Sequence, residues 1–206
     1  PANITWYYWC FVAGTQVTLD SGKTKSIEDI QVGELVKTYD EISKTYIDRP
    51  VTEALHHPPQ KNILYTFYYE WGTLTPNNVH LIYIPNEDKY LSAEEIYTQW
   101  KSGKPIILLS KEMKKLPITN IIKTEENIPL YNLHVSGIHD NGEMNDLYKP
   151  NHNYIANDIV VHNLKCCTDP NTGACSAENC GNQASNPTYL NLIANCSPYV
   201  SDVASI

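Results

Sequence analysis

Cys10 opens the stretch CFVAGTQVTL, and Asn163, preceded by His162, closes the stretch HNYIANDIVVHN. Both residues can attack the chain's own backbone. The Cys10 thiol can attack the carbonyl just before it, that of Trp9, and exchange an amide for a thioester. The side-chain nitrogen of Asn163 can close a succinimide ring on its own carbonyl and break the bond to Leu164. Neither step is easy in water. A thiol needs access and some stabilisation as thiolate, and an amide nitrogen leaves only when it is given a proton. A weak amide nucleophile needs a held conformation with donors on the developing oxyanion. Histidine can supply protons near neutral pH. His80, which opens HLIYI after LTPNNV, suits the Trp9–Cys10 bond; His162 adjoins Asn163, and His152 stands at the other end of the same segment. Singly, each has an ordinary explanation. A lone cysteine is most often a small buried hydrophobe, a histidine at a strand start packs, and an Asn at a strand end makes a turn. In this order and together, they are the parts of a domain that cuts or excises itself.

Such residues must be brought together by the elements between them, and those read mainly as strands. Phe11 to Leu19 carries β-branched residues and stops at Asp20-Ser21-Gly22, a turn signal. Leu35 to Tyr39, Ile63 to Tyr69, His80 to Ile84 and Ile106 to Leu109 continue the pattern, followed by Ile118 to Ile122, Leu130 to Val135 and Tyr154 to Val161. Many short strands separated by Asn, Asp, Gly and Pro predict an all-β body, closed or sandwiched. Two segments predict single helical turns. Ser26 to Ile30 (SIEDI) has Ser followed by an acid at capping spacing. Ser92 to Trp100 starts similarly, with Leu91, Ile96 and Trp100 at helical spacing. Residues 137–151 are polar and turn-rich and predict a long surface loop. The chain divides into a flank over residues 1–9, a body over 10–163 and a Cys-, Asn- and Ser-rich tail over 164–206. The tail has few large apolar residues before Tyr189 and is not expected to form its own core.

Composition removes several classes. Of the 206 residues 42% are hydrophobic, enough to bury a core and to exclude wholesale disorder. A net charge of −8 argues against a nucleic-acid partner, which calls for clustered Lys and Arg. The one dense basic patch, Lys111 to Lys115 (KEMKK), reads as a solvated face. No apolar run approaches the roughly 20 residues that span a bilayer, so no membrane partner is expected. The opening residues lack the layout of a signal peptide. Cys10 stands alone in the body, whereas Cys166, Cys167, Cys175, Cys180 and Cys196 crowd the tail. That tail alone reads as a disulfide or metal staple, but five is odd, leaving pairing and compartment open.

The body resembles a Hint domain, the module shared by Hedgehog autoprocessing proteins, inteins and bacterial intein-like domains. The resemblance is carried by Cys10 with FVAGT, by SGKTKSIEDIQVGELV, LTPNNVHLIYI and LSAEEIYTQWKSGKPI, by YNLHV from Tyr131 to Val135, and by HNYIANDIVVHN. It runs in order from residue 10 to residue 163, with the opening and closing motifs the most specific and no room for an endonuclease insert. It implies a horseshoe-like, all-β Hint fold of twisted strands with pseudo-twofold symmetry that brings both chain ends into one site. By position, Cys10 would be the nucleophile of the N-terminal acyl shift and His80 its proton donor. His162 and Asn163 would run C-terminal cleavage, assisted by His152. No cofactor or metal is required, and the partners are the chain's own flanks with, at most, an outside thiol or amine.

Three departures bear on mechanism. Hint domains usually carry Thr three residues before the catalytic His; here Asn77 holds that place and Thr75 is two residues further back. Either a loop insertion brings Thr75 in or Asn77 supplies the bond; Asn77 is favoured because its amide can both donate and accept. An Asp common in the motif around Tyr131 is replaced by Asn132. Leu164 follows Asn163 where splicing inteins need Cys, Ser or Thr, so cleavage is expected over efficient ligation. Cys166 lies nearby but at the wrong ring size for the usual transfer. Two other readings remain: Hedgehog-like transfer of the thioester to an external nucleophile, and an inactive Hint scaffold whose tail binds metal or forms disulfides. A trans-acting cysteine protease is the least favoured. A disulfide from Cys10 to Cys166 or Cys167 would hold the nucleophile inactive until reduced.

Overall fold

The computed structural model describes residues 9–135 and 152–163. The expected loop over 137–151, the first flank short of Trp9, Leu164 and the tail cysteines lie outside the described residues. The architecture is all-β with one α-helix. In chain order the strands are β1 (Gln16–Thr18), β2 (Thr24–Ser26), β3 (Leu35–Asp40), β4 (Thr45–Tyr69), β5 (Gly72–Leu74) and β6 (Leu81–Ile84). Then come β7 (Lys89–Ser92), helix α1 (Ala93–Lys101), β8 (Ile107–Leu109), β9 (Lys115–Pro117), β10 (Asn120–Val135), β11 (Asn153–Ala156) and β12 (Ile159–His162).

The strands form a six-stranded sheet in the order β2-β1-β11-β12-β6-β7, a second sheet β10-β4-β3 with β5 on β4, and a small β8-β9 pair. The first sheet is what unites the chain ends: β12 lies between β11 and β6, with Val161 opposite Ile82. The lead-in to β1 crosses to the second sheet, where Phe11 bridges both Tyr131 and Pro76. Between them Phe11, Tyr65, Phe67, Tyr154 and Val161 are fully buried in one core cluster. Burial of each such side chain stabilises the fold by about 1.5–3 kcal/mol, so the site sits on a rigid floor.

Several sequence expectations are corrected here. Phe11 to Leu19 is not one strand; it breaks at a turn where Gly14 adopts φ +79 and donates its N–H to both Glu28 carboxylate oxygens, at 2.8 and 2.9 Å. The expected strand Tyr154 to Val161 is a hairpin, β11 and β12, turning at Asn157 (φ 43) and Asp158 (φ 69). Asn and Asp tolerate that left-handed backbone better than other side chains, as tight hairpin turns require. The turn is held from outside: Asn157 accepts the Gln16 N–H at 2.6 Å and donates to the Thr73 carbonyl at 2.8 Å. β4 runs through Pro58 and Pro59. The ladder to β10 shifts register there, between Ile128 and Leu130, so residues without an N–H sit where pairing is already interrupted. Ser26 does not cap the short 3-10 turn Ile27–Asp29; its hydroxyl accepts from Gln16 Nε2 at 3.0 Å. The second helical expectation holds in place but not in length: α1 is nine residues rather than a single turn, and Ser92 and Glu95 form a reciprocal capping box on it.

Candidate active site

Cys10, the first candidate nucleophile, is held by one residue at two points. The N–H of Cys10 donates to Asn77 Oδ1 at 3.1 Å, and the N–H of Asn77 donates to the Cys10 carbonyl at 2.9 Å. Thr75 is directed elsewhere, its hydroxyl 3.1 Å from that of Thr66. Of the two alternatives left open by the sequence, Asn77 is therefore the one against the Trp9–Cys10 peptide. Cys10 is fully buried beside Leu64 and Leu130. Burial pushes its thiol well above the ordinary range, so it rests protonated.

His80 is fully buried and packs on Phe11, the residue after the cysteine, with ring centroids 4.0 Å apart and the planes tilted by 52°. Its pKa is lowered to about 3, first by burial and then by the nearby His162 ring. Main-chain oxygens at His162 and Trp9 act the other way, favouring the protonated ring. The only main-chain acceptor each residue owns is its carbonyl, so His80 faces the Trp9 carbonyl and the end of β12 together. Neither ring nitrogen makes a fully formed hydrogen bond.

The second candidate, Asn163, is equally confined. Asn163 is fully buried; its main-chain N–H donates to the His152 carbonyl at 2.9 Å and its side-chain Nδ2 donates to the Val135 carbonyl at 2.7 Å. An amide nitrogen that donates to a carbonyl is both oriented and made slightly more electron-rich, as an attack on a neighbouring carbonyl requires. His162, buried and lowered to about 3 by burial and then by His152, faces the Asn163 main-chain oxygen, which favours its charged form. His162 and Trp9 meet edge to face at 6.1 Å. The hairpin turn is what makes this possible, because it sets β11 beside β12 and His152 beside Asn163 rather than at the far end of one strand.

Asn132 is buried and accepts the Tyr154 O–H and the Leu133 N–H, both at 2.8 Å. Tyr154 lies close enough to Cys10 that the thiolate, after burial, is the next influence holding its phenol protonated. Tyr154 and Val135 were not singled out from the sequence. The period of two in β11 carried a signal, since His152 and Tyr154 fall on one face; nothing in the sequence marks a main-chain carbonyl. Among the described residues, no group of three or more His, Cys, Asp or Glu is gathered to hold a metal, and no helix is long and apolar enough to cross a membrane. Leu164, on the far side of the C-terminal bond, lies outside the described residues.

No protein-family model and no curated protein matches the sequence. Solved structures do match. A bacterial intein-like domain from Clostridium thermocellum superposes with TM-score 0.60 at 18% identity, covering 76% of this chain and 100% of that one. The DnaB intein from Synechocystis sp. PCC 6803 gives 0.58 at 20% identity over 77% and 100%. The gp41-1 intein gives 0.52 at 24% identity over 76% and 100%. This chain has the Hint-type fold, in agreement with the resemblance read from its motifs.

Proposed function

We propose that the chain is a self-processing domain that cuts its own backbone once at each end of residues 10–163. In the first step the Cys10 sulfur attacks the Trp9 carbonyl, and the new thioester forms as the C–N bond breaks. His80 takes up the thiol's proton as the sulfur attacks and gives a proton to the departing nitrogen, and Asn77 holds that nitrogen in line by accepting its N–H. Water, an outside thiol or an amine then resolves the thioester. At the other end Asn163 Nδ2 attacks its own carbonyl, His162 stabilises the oxyanion with help from His152, and the Leu164 nitrogen leaves as an amine. Leu164 offers no nucleophile to capture the thioester, so cleavage outweighs ligation.

The observation that most supports this reading is the place of His80, against the Trp9 carbonyl on one side and the last residues of β12 on the other. The Hint-type fold shared with inteins and an intein-like domain supports it independently. Intact mass spectrometry of the purified chain over time, with and without added thiol, tests it. Fragments ending at Trp9 and at a succinimide or Asn163 are expected, and a chain of unchanged mass under both conditions would refute it.

A further inference from the structure

Against the His162 ring lies a polar cluster that the steps above do not use. The Tyr90 ring stands nearly perpendicular to the His162 ring, with centroids 4.8 Å apart and an interplanar angle of 84°. Its hydroxyl donates to Glu41 Oε1 at 2.5 Å. Asn153, directly opposite His162 in the β11–β12 ladder, donates from Nδ2 to that same Glu41 oxygen at 3.1 Å and lies 3.2 Å from the Tyr90 oxygen. Asn153 is in turn fixed to Tyr39, accepting its N–H at 2.7 Å and donating to its carbonyl at 2.9 Å. Four segments of chain thus converge to place one carboxylate behind one histidine.

A cluster this connected does more than fill space. Aromatic packing alone would need no hydroxyl on Tyr90, and a half-buried carboxylate is costly to keep unless its bonds are satisfied. The other titratable groups facing His162 work against its charged form: His80 from the start of β6, His152 before β11 and His134 from β10. Trp9 contributes an uncharged indole. Glu41, bonded to the tyrosine that packs on His162 and to the asparagine opposite it, brings a carboxylate into this cluster. We propose that Tyr90 and Glu41 are positioning residues for His162, the tyrosine fixing its ring and the carboxylate favouring the imidazolium that donates to the Asn163 oxyanion. The proposal rests on the self-cleavage reading and refines its second cut alone.

Two variants separate the parts. Tyr90→Phe keeps the ring against His162 and removes the O–H; Glu41→Gln keeps an acceptor oxygen for Tyr90 and Asn153 and removes the charge. Both are compared with the parent full-length chain for the two cuts, thiol-induced N-terminal cleavage serving as the check that the fold is intact. In Glu41→Gln the pH profile of the cut after Asn163 should move about one unit lower, making it about tenfold slower at neutral pH, with N-terminal cleavage unchanged. Tyr90→Phe should slow the same cut at every pH, again sparing the other. Heteronuclear NMR of the His162 ring in the Cys10→Ala, Asn163→Ala chain, with and without Glu41→Gln, reads the coupling without any cleavage. A His162 titration unaffected by Glu41→Gln, or equal slowing of both cuts, overturns the proposal. A parent chain that makes no cut after Asn163 overturns the self-cleavage reading instead, and the NMR result tells the two failures apart.

Discussion

Asn77 grips Cys10 from both sides of its α-carbon, accepting its N–H at 3.1 Å and donating to its carbonyl at 2.9 Å. The N–H in question belongs to the Trp9–Cys10 peptide. Holding it fixes the plane of that amide relative to the thiol and to His80, the positioning on which an intramolecular attack depends. Asn77→Ala should therefore slow thiol-induced N-terminal cleavage by about 100- to 1,000-fold, as expected for loss of one donor or acceptor at a reacting centre. Thr75→Ala, which removes only a contact to Thr66, should leave that rate within about twofold. Densitometry of the cleavage time course checks both, and a slow Thr75→Ala beside a normal Asn77→Ala would reverse the assignment.

The two proposed nucleophiles are held by different partners, Cys10 by Asn77 and Asn163 by the His152 and Val135 carbonyls. The cuts should therefore be separable. Cys10→Ala is expected to abolish N-terminal cleavage and leave part of the cut after Asn163; Asn163→Ala should do the reverse. Mass analysis of each variant after incubation decides this, and equal loss of both products from either substitution would contradict independent nucleophiles.

Much of this site was legible in the residue pattern, and the misses have physical causes. Cys10, His80, His162 and Asn163 could be read because reactive side chains are scarce and their order is informative. Both chain ends were expected in one place, and β12 pairing with β6 puts them there. The hairpin at Asn157–Asp158 was read as continuous strand, because apolar residues flank it closely and only two polar positions interrupt the run. The long β4 was largely missed because Pro, His and Lys dominate residues 56–61, and a ribbon exposed along much of its length lacks the alternation that marks a half-buried strand. Tyr154, Tyr90 and Glu41 act through tertiary contacts between distant segments, which no local spacing encodes.

His80 and His162 are buried neutral, both lowered to about 3 chiefly by burial. In the unfolded chain they regain a pKa of about 6.5. Between these values the unfolded state binds more protons than the folded one, so stability falls as pH drops from about 6.5 toward 3. His57, lowered to about 4 by burial and then by His56, adds to the same trend. Urea midpoints of the non-cleaving Cys10→Ala, Asn163→Ala chain should decrease steadily through this window. His80→Gln should flatten the dependence. A midpoint that rises on acidification would contradict the burial of neutral rings.

Asn132 presents one oxygen to the Tyr154 hydroxyl and the Leu133 N–H, and Tyr154 stands beside the buried thiol. An amide in that place cannot take a proton, and Cys10 must lose one before its sulfur can attack. Asn132→Asp keeps both accepted hydrogen bonds and adds a base one tyrosine away from the thiol. General bases contribute roughly 100-fold or more where they are well placed, so N-terminal cleavage should accelerate by about that factor. Tyr154→Phe in the Asp background should cancel most of the gain, because the phenol is the link between carboxylate and sulfur. Stability should fall in Asn132→Asp, since a buried carboxylate is costly even when hydrogen-bonded; thermal unfolding measured alongside the cleavage rate would show the opposite signs. An unchanged N-terminal rate in a folded Asn132→Asp chain would mean that the proton of Cys10 leaves by another route, with His80 the remaining acceptor on that side.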